Sequence, residues 1–298
     1  MTEETVLPRT EEFEVDGPLE LDVSVTLGRV EIILGGSVAR AELRHDPTVR
    51  EPWLDNMSNL LNWVGERFGG QFGLSETENS PVEAIRQTRV ELVGNRFVVH
   101  GAKAWALRNI PLSVTVHAPA GSHLEVRAGA AEVKVTGAAG RADILTGSGE
   151  VSVERADGTA TIRTGTGNIK LGPALSGLQL RTGSGDVEAS SLAGSATLAT
   201  GTGDVWLGAV AGDVMARSGS GDLSVAEAAS GSLELITGSG EVRVGIRGGV
   251  AAEIDLSSGA GQVSSEIDVA DSAPAGSVAL KVRARTGSGN AVVTRAAQ

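Results

Sequence analysis

The chain has 298 residues, of which 41 are glycine, with 4 Phe, 4 Trp, no Tyr, no Cys and a formal net charge of −12. The missing cysteine excludes disulfides, thiolate metal sites and a cysteine nucleophile. The acidity, with no basic stripe evident along the chain, argues against nucleic acid and anionic membrane as partners.

A core drawn mainly from Val, Leu, Ile and Ala suits a thin, repetitive β-structure better than a globule with aromatic anchors. No stretch reaches the roughly 18 apolar residues of a membrane span. The start, Met1-Thr2-Glu3-Glu4-Thr5, is acidic with no apolar run after it. The expected location is therefore cytoplasmic, with no direct membrane insertion and peripheral envelope association as an option.

From the N-terminus, residues 18–45 read as a degenerate coil. Leu21, Val23 and Val25 alternate, Gly28 turns the chain, and Val30 and Ile32 resume the alternation. Residues 46–86 read as a helical insertion and loop. Trp53, Met57, Leu60, Leu61, Val64 and Phe68 follow helical spacing from about Pro52, and Gly69-Gly70 supplies a stop. This helix either caps the end of the core or offers a docking face, with Trp53, Met57, Leu61 and Trp63 as its candidate partner-binding residues. Ser75–Pro81 reads as an exposed loop. Residues 87–127 form further degenerate coils.

Residues 128–257 carry the main signal. Thr-Gly-Ser/Thr-Gly begins at Thr146, Thr164, Thr182 and Thr200, with Ser-Gly-Ser-Gly at Ser218, each step being 18 residues. The motif returns at Thr237, Ser258 and Thr286, and an acid or amide follows nearly every time. Apolar residues flank it with period two: Ile144, Ile162, Leu180 and Leu198 before, Val151, Ile169, Val187 and Val205 after. Two half-buried strands and two turns in 18 residues describe one flattened coil, and stacking such coils about 4.8 Å apart turns equivalent residues into columns. A hexapeptide helix needs an apolar residue every sixth position, which Val151, Asp157 and Arg163 break. The expected fold is all-β, a single β-solenoid domain over residues 1–298, with residues 258–298 as degenerate C-terminal coils and cap.

The run Thr182–Val187, with Pro111–Gly121 and Leu124–Arg127 as a lead-in, resembles the bacterial β-strand-repeat family known as toastrack, whose members are labelled as candidate adhesins. The resemblance covers roughly residues 18–34 and 110–295. It implies a β-solenoid with envelope-related or adhesive roles and brings no catalytic residues with it.

The columns suggest chemistry that the residue pattern weakens. The calcium-binding nonapeptide reads Gly-Gly-x-Gly-x-Asp, whereas Gly-Ser-Gly-Asp displaces the acid by one residue. Arg127, Arg163, Arg181, Arg217 and Arg285 directly precede the motif and are expected to neutralise the acidic column. Thr-x-Ser/Thr pairs sit beside glycines at a corner, unlike an ice-binding face, and read as coil-to-coil hydroxyl ladders. The four histidines form no ligand motif. Trp206 is the one Trp in the repeats, outward by the alternation, and is a further candidate contact.

The functional expectation is a non-enzymatic structural or protein-interaction scaffold, adhesin-like, with no cofactor, a protein as partner and no nucleic acid. A self-assembling filament is the first alternative. A glycan-binding adhesin or a polysaccharide-acting β-helix enzyme is the second.

Overall fold

A computed structural model describes residues 7–48, 80–267 and 278–297. The helix expected from about Pro52 to Phe68, with Trp53, Met57, Leu61 and Trp63, lies outside the described residues.

The period-two pattern folds as its spacing dictates. In a typical coil, β10 (Ala160–Thr166) runs to a corner at Gly167-Asn168, β11 (Ile169–Ala174) leaves it, and a second turn leads into β12 (Leu178–Ser184). β12 pairs in parallel with β10 at a register of Ile162 on Leu180 and Thr164 on Thr182. That register is one 18-residue repeat. The same step links β8 (Ala142–Ser148), β14 (Ala196–Thr202) and β16 (Val214–Ser220) in one row of strands. It links β9 (Val151–Ala156), β13 (Val187–Leu192) and β15 (Val205–Ala211) with β11 in a second row. Inward residues of both rows, such as Ile162, Leu180, Leu198, Val187 and Leu207, form one continuous core. Fully burying each such side chain is worth about 1.5–3 kcal/mol.

The corner differs in detail from a four-residue turn. Thr-Gly-Ser still belongs to the strand, and only the second glycine has left-handed backbone, as at Gly149 (φ 120) and Gly185 (φ 145). The first glycine answers a different need. A Cβ on Gly201 would stand 2.5 Å from the carbonyl oxygen of Gly183 one coil below. Close approach between coils, not left-handed backbone, excludes a side chain there.

Three long strands carry the chain from one row to the other: β2 (Glu20–Leu34), β7 (His123–Ala139) and β17 (Leu223–Ser239). β2 pairs with β7 along most of its length, joining the N-terminal coil to the regular stack. On the other side of β2 the next two strands are still parallel to it, and the pairing turns antiparallel only beyond them. β5 (Arg96–His100) lies on the first half of β2 and carries β4 (Arg89–Val93). β6 (Leu112–Ala118) lies on the second half, followed by β3 (Val38–His45) and β1 (Arg9–Glu14). Phe13 and Phe97 meet edge to face at 5.7 Å, and Phe97 is fully buried. A short helix, α1 (Pro81–Gln87), packs on β3, with Ser80 as its N-cap. The Arg9 guanidinium donates to the carbonyls of Ile85, Arg86 and Thr88 at the other end of that helix. A single helical turn, α2 (Trp105–Arg108), precedes β6. These elements close the N-terminal end of the core.

The C-terminal coils depart from chain order. β21 (Leu280–Ser288) sits directly on β17, pairing Thr286 with Thr237, while β19 (Ala252–Ser258) pairs with the far side of β21. In the second row, β22 (Ala291–Arg295) likewise lies between β18 (Val242–Ile246) and β20 (Val263–Ser265). The last coil in sequence is therefore the penultimate coil in space. Its residues explain the choice. Leu280, Val282 and Ala284 are fully buried and lead into a regular Thr-Gly-Ser-Gly corner, whereas Ala252, Ile254 and Leu256 stay partly exposed on an edge bearing Glu253 and Asp255. The consensus coil is fitted for neighbours on both sides, and the degenerate coil serves as the charged edge.

Candidate partner-binding surface

The repeated polar residues are largely committed to the stack itself. Inside the corner, the Thr182 and Thr200 hydroxyls donate to the carbonyl oxygens of Gly167 and Gly185, each at 3.0 Å, and Thr237 and Thr286 repeat the bond to Gly221 and Gly240. The expected hydroxyl ladder is thus a hydroxyl-to-carbonyl ladder. Thr164 breaks the series, its Oγ1 being buried with no partner.

Outside the corner, Oδ1 of Asn168 accepts the backbone N–H of Asp186 at 2.9 Å. Asp186 does the same for Asp204, and Asp204 for Asp222. Backbone N–H groups, not the expected arginines, therefore satisfy one oxygen of each side chain. The arginines pair elsewhere: Arg127 with Glu125, Arg217 with Glu234 at 4.0 Å, Arg285 with Asp255 at 3.9 Å, and Arg163 with the amide oxygen of Gln179 at 2.9 Å. Among the described residues no group of three or more His, Asp or Glu side chains is arranged to hold a metal ion.

The first concentration of charge outside the repeats lies near the N-terminal end. Asp22 is nearly buried on the outward side of β2, where His100 Nε2 lies 2.9 Å from one oxygen and Arg96 donates to the other at 2.7 Å. Arg96 also reaches Glu125 at 3.3 Å. Burial pushes the Asp22 carboxyl up, but the hydrogen bonds and charges of His100 and Arg96 outweigh it and hold the group below its ordinary range. A carboxylate set between Leu21 and Val23 was the available sequence signal, and reading His100 as a lone histidine missed it. Ser24 stands opposite His100 in the register, but its hydroxyl makes no hydrogen bond to the ring among the described residues. The cluster is thus an ion-pair network between coils.

It lines a shallow depression of about 170 Å³ with Glu20, His123, Arg141 and Asp143. A second hollow, about 230 Å³, lies at the first corners beside Arg29 and Glu132. Both fall short of the roughly 300 Å³ at which small-molecule pockets begin.

Trp206 is placed outward, between Glu188 and Ser224 of the neighbouring coils, and is 43% exposed. Its ring lies over Gly208, where a Cβ would come 3.3 Å from ring atom Cη2. A side chain there would meet the Ser190 carbonyl oxygen of the neighbouring coil at 2.1 Å and would crowd the edge of the indole. Of the residues expected to contact a partner, Trp206 alone falls within the described part of the chain.

No curated protein matches the chain. Several solved structures align along nearly its whole length at low similarity. One, a candidate adhesin from Bacteroides fragilis, is 12% identical, with 97% of each chain covered and a TM-score of 0.34. A candidate cell adhesion protein from Clostridium sporogenes is 11% identical, covering 97% of this chain and all of its own, with a TM-score of 0.22. A candidate lipid binding protein from Parabacteroides distasonis is 10% identical, covering 97% of this chain and 96% of its own, with a TM-score of 0.29. Residues 114–294, more than half of the sequence and all of its regular coils, match a family described as Toastrack DUF4097, and the chain belongs to that family.

Proposed function

We propose that the protein is a non-enzymatic scaffold, adhesin-like in architecture, that holds a protein partner on the outer face of its second row of strands, with Trp206 as the anchor. The exposed indole laid over Gly208 is the observation that carries this reading. Trp is among the residues most enriched at interface hot spots, because a large rigid ring is removed from water at little entropic cost. The surrounding strands support a fixed surface, since the coils around Trp206 are held to their neighbours by backbone pairing and by bonds such as Thr200 to Gly185 and Asp204 to the Asp186 side chain. Two observations support a non-catalytic role: the two hollows described are small, and the buried carboxylate of Asp22 is engaged by His100 and Arg96. Resemblance to envelope-associated proteins favours a peripheral envelope position, which cell fractionation tests directly.

The filament alternative is less well supported. Antiparallel strands β1, β3 and β4 interrupt the parallel stack at one end, so among the described residues the edge that could continue it in register is that of β19 and β20.

The test is capture of envelope proteins by immobilised wild-type protein and by Trp206→Ser, with Gln179→Ser on the opposite row as control. Trp206→Ser should lose at least about tenfold of the captured partner, as expected for a hot-spot residue. Equal capture by all three would remove Trp206 from the interface.

A further inference from the structure

Registered stacking converts one position of the first row into a continuous outer column. Read coil by coil, it runs Arg127, Leu145, Arg163, Arg181, Ala199, Arg217, Ile236, Arg285. With neighbouring strands about 4.8 Å apart, five arginines lie on a line roughly 34 Å long. All five are exposed. In a chain of net charge −12, the fold gathers the arginines that precede the motif into one basic stripe.

The surroundings of the column are equally specific. Toward the corner it is bordered by glycines only, Gly147, Gly165, Gly183, Gly201 and Gly219 among them, which leaves a smooth shelf beside the guanidinium groups. On its other side the central coils carry Thr161, Gln179, Thr197 and Met215, with Glu125 and Asp143 at one end and Glu234 at the other; Glu125 pairs with Arg127, and Glu234 lies 4.0 Å from Arg217, which leaves Arg163 and Arg181 as the open centre of the column. Arg163 and Arg181 face each other in register and make no ion pair with a carboxylate among the described residues. Like charges opposite one another on a sheet are destabilising, and an external anion would relieve the repulsion. The carboxylates that might have done so internally are bound to backbone N–H groups at the corner.

We propose that this column binds a linear anionic polysaccharide, which lies along the stack on the glycine shelf and places successive carboxylate groups on the guanidinium forks. Arg suits that role because its planar donors match a carboxylate in bidentate fashion. The single-column geometry selects a linear ligand. A membrane surface would also press on the acids at Asp143 and Glu234, and single-stranded nucleic acid would want aromatic platforms, which the column lacks. The site is on the row opposite Trp206, so neither proposal depends on the other.

The test is binding of polygalacturonate to the full chain over a range of salt concentrations. Wild type is compared with the triple variant Arg163→Gln, Arg181→Gln, Arg217→Gln, and with the charge-matched triple Arg44→Gln, Arg89→Gln, Arg155→Gln away from the column. The column triple should bind at least tenfold more weakly, with a salt slope smaller by roughly one per arginine removed, and the control triple should resemble wild type. A second variant, Thr197→Glu, keeps every arginine, adds a carboxylate beside them and should also weaken binding. No binding by wild type, or equal loss in both triples, would overturn the proposal. So would tighter binding to oligothymidylate or to phosphatidylserine vesicles than to polygalacturonate.

Discussion

Thr200 Oγ1 donates to the carbonyl oxygen of Gly185 at 3.0 Å, joining its coil to the one below through the buried side of the corner. Thr200→Val removes the donor and strands a carbonyl, at an expected cost of about 1–2 kcal/mol. Thr164, whose hydroxyl is buried without a partner, supplies the contrast. Thr164→Val should be neutral or stabilising, and urea midpoints of the two variants measure the difference.

The two glycines of the motif make separable predictions. Gly201→Ala drives a Cβ to 2.5 Å from a backbone carbonyl that cannot yield, and overpacking of this kind costs about 1–3 kcal/mol. Gly248→Ala meets nothing within 4 Å and should shift stability by less than about 0.5 kcal/mol. Thermal unfolding of both proteins decides whether close approach between coils is the constraint.

Asp204 accepts the N–H of Asp222 through one oxygen and lies in register with two other aspartates of its column. Asp204→Ala should lose about 0.5–1.5 kcal/mol with that bond. Asp204→Asn keeps the acceptor, as Asn168 already does, and removes a like charge. It should match or exceed wild-type stability at low salt, with the advantage shrinking as salt is added.

For Asp22 the sign of the pH dependence follows from a folded-state pKa held below the ordinary 3.8 by His100 and Arg96. Its contribution is complete above that ordinary value and is lost as pH falls through the lower, folded value. The stability difference between wild type and Asp22→Asn should therefore narrow in acid below about pH 4, with wild type the more stable above it. Denaturant midpoints across that range provide the measurement, and a gap that widens in acid would contradict the assignment.

Much of this architecture is legible in the sequence. The step from Thr146 to Thr164 to Thr182 sets the coil length, and the alternation around Ile162 and Ile169 sets which side of each strand is buried. What periodicity does not carry is which coil lies beside which. Thr286 follows Ser258 in the chain yet precedes it in the stack, because fit between two neighbours, not chain order, decides the inner place. The antiparallel strand β1 escapes for another reason: Arg-Thr-Glu-Glu-Phe-Glu carries one large apolar residue, Phe13, and its place is settled by Phe97 across the core. The fate of the acids was equally hidden, since a backbone N–H as partner leaves no mark in side-chain composition. Trp206 is visible in the sequence as an outward aromatic, but the approach of its ring to Gly208 is not, because it depends on side-chain rotamer and not on alternation.

In-register stacking underlies every column described, and its least expected feature is the placement of residues 280–295 between two earlier coils. The chain has no native cysteine, so paired cysteines can report adjacency without interference. Glu234 and Arg283 are direct neighbours in register, and Asp255 lies one strand further out. Adjacent strands, about 4.8 Å apart, fall within the reach of a disulfide, and strands twice that distance apart do not. Mild oxidation of Glu234→Cys/Arg283→Cys should therefore give a rapid intramolecular bridge, while Glu234→Cys/Asp255→Cys stays reduced. A bridge in the second pair and none in the first would show that the coils stack in chain order, and would contradict the stacking from which the columns, with Arg285 at the end of one, are read.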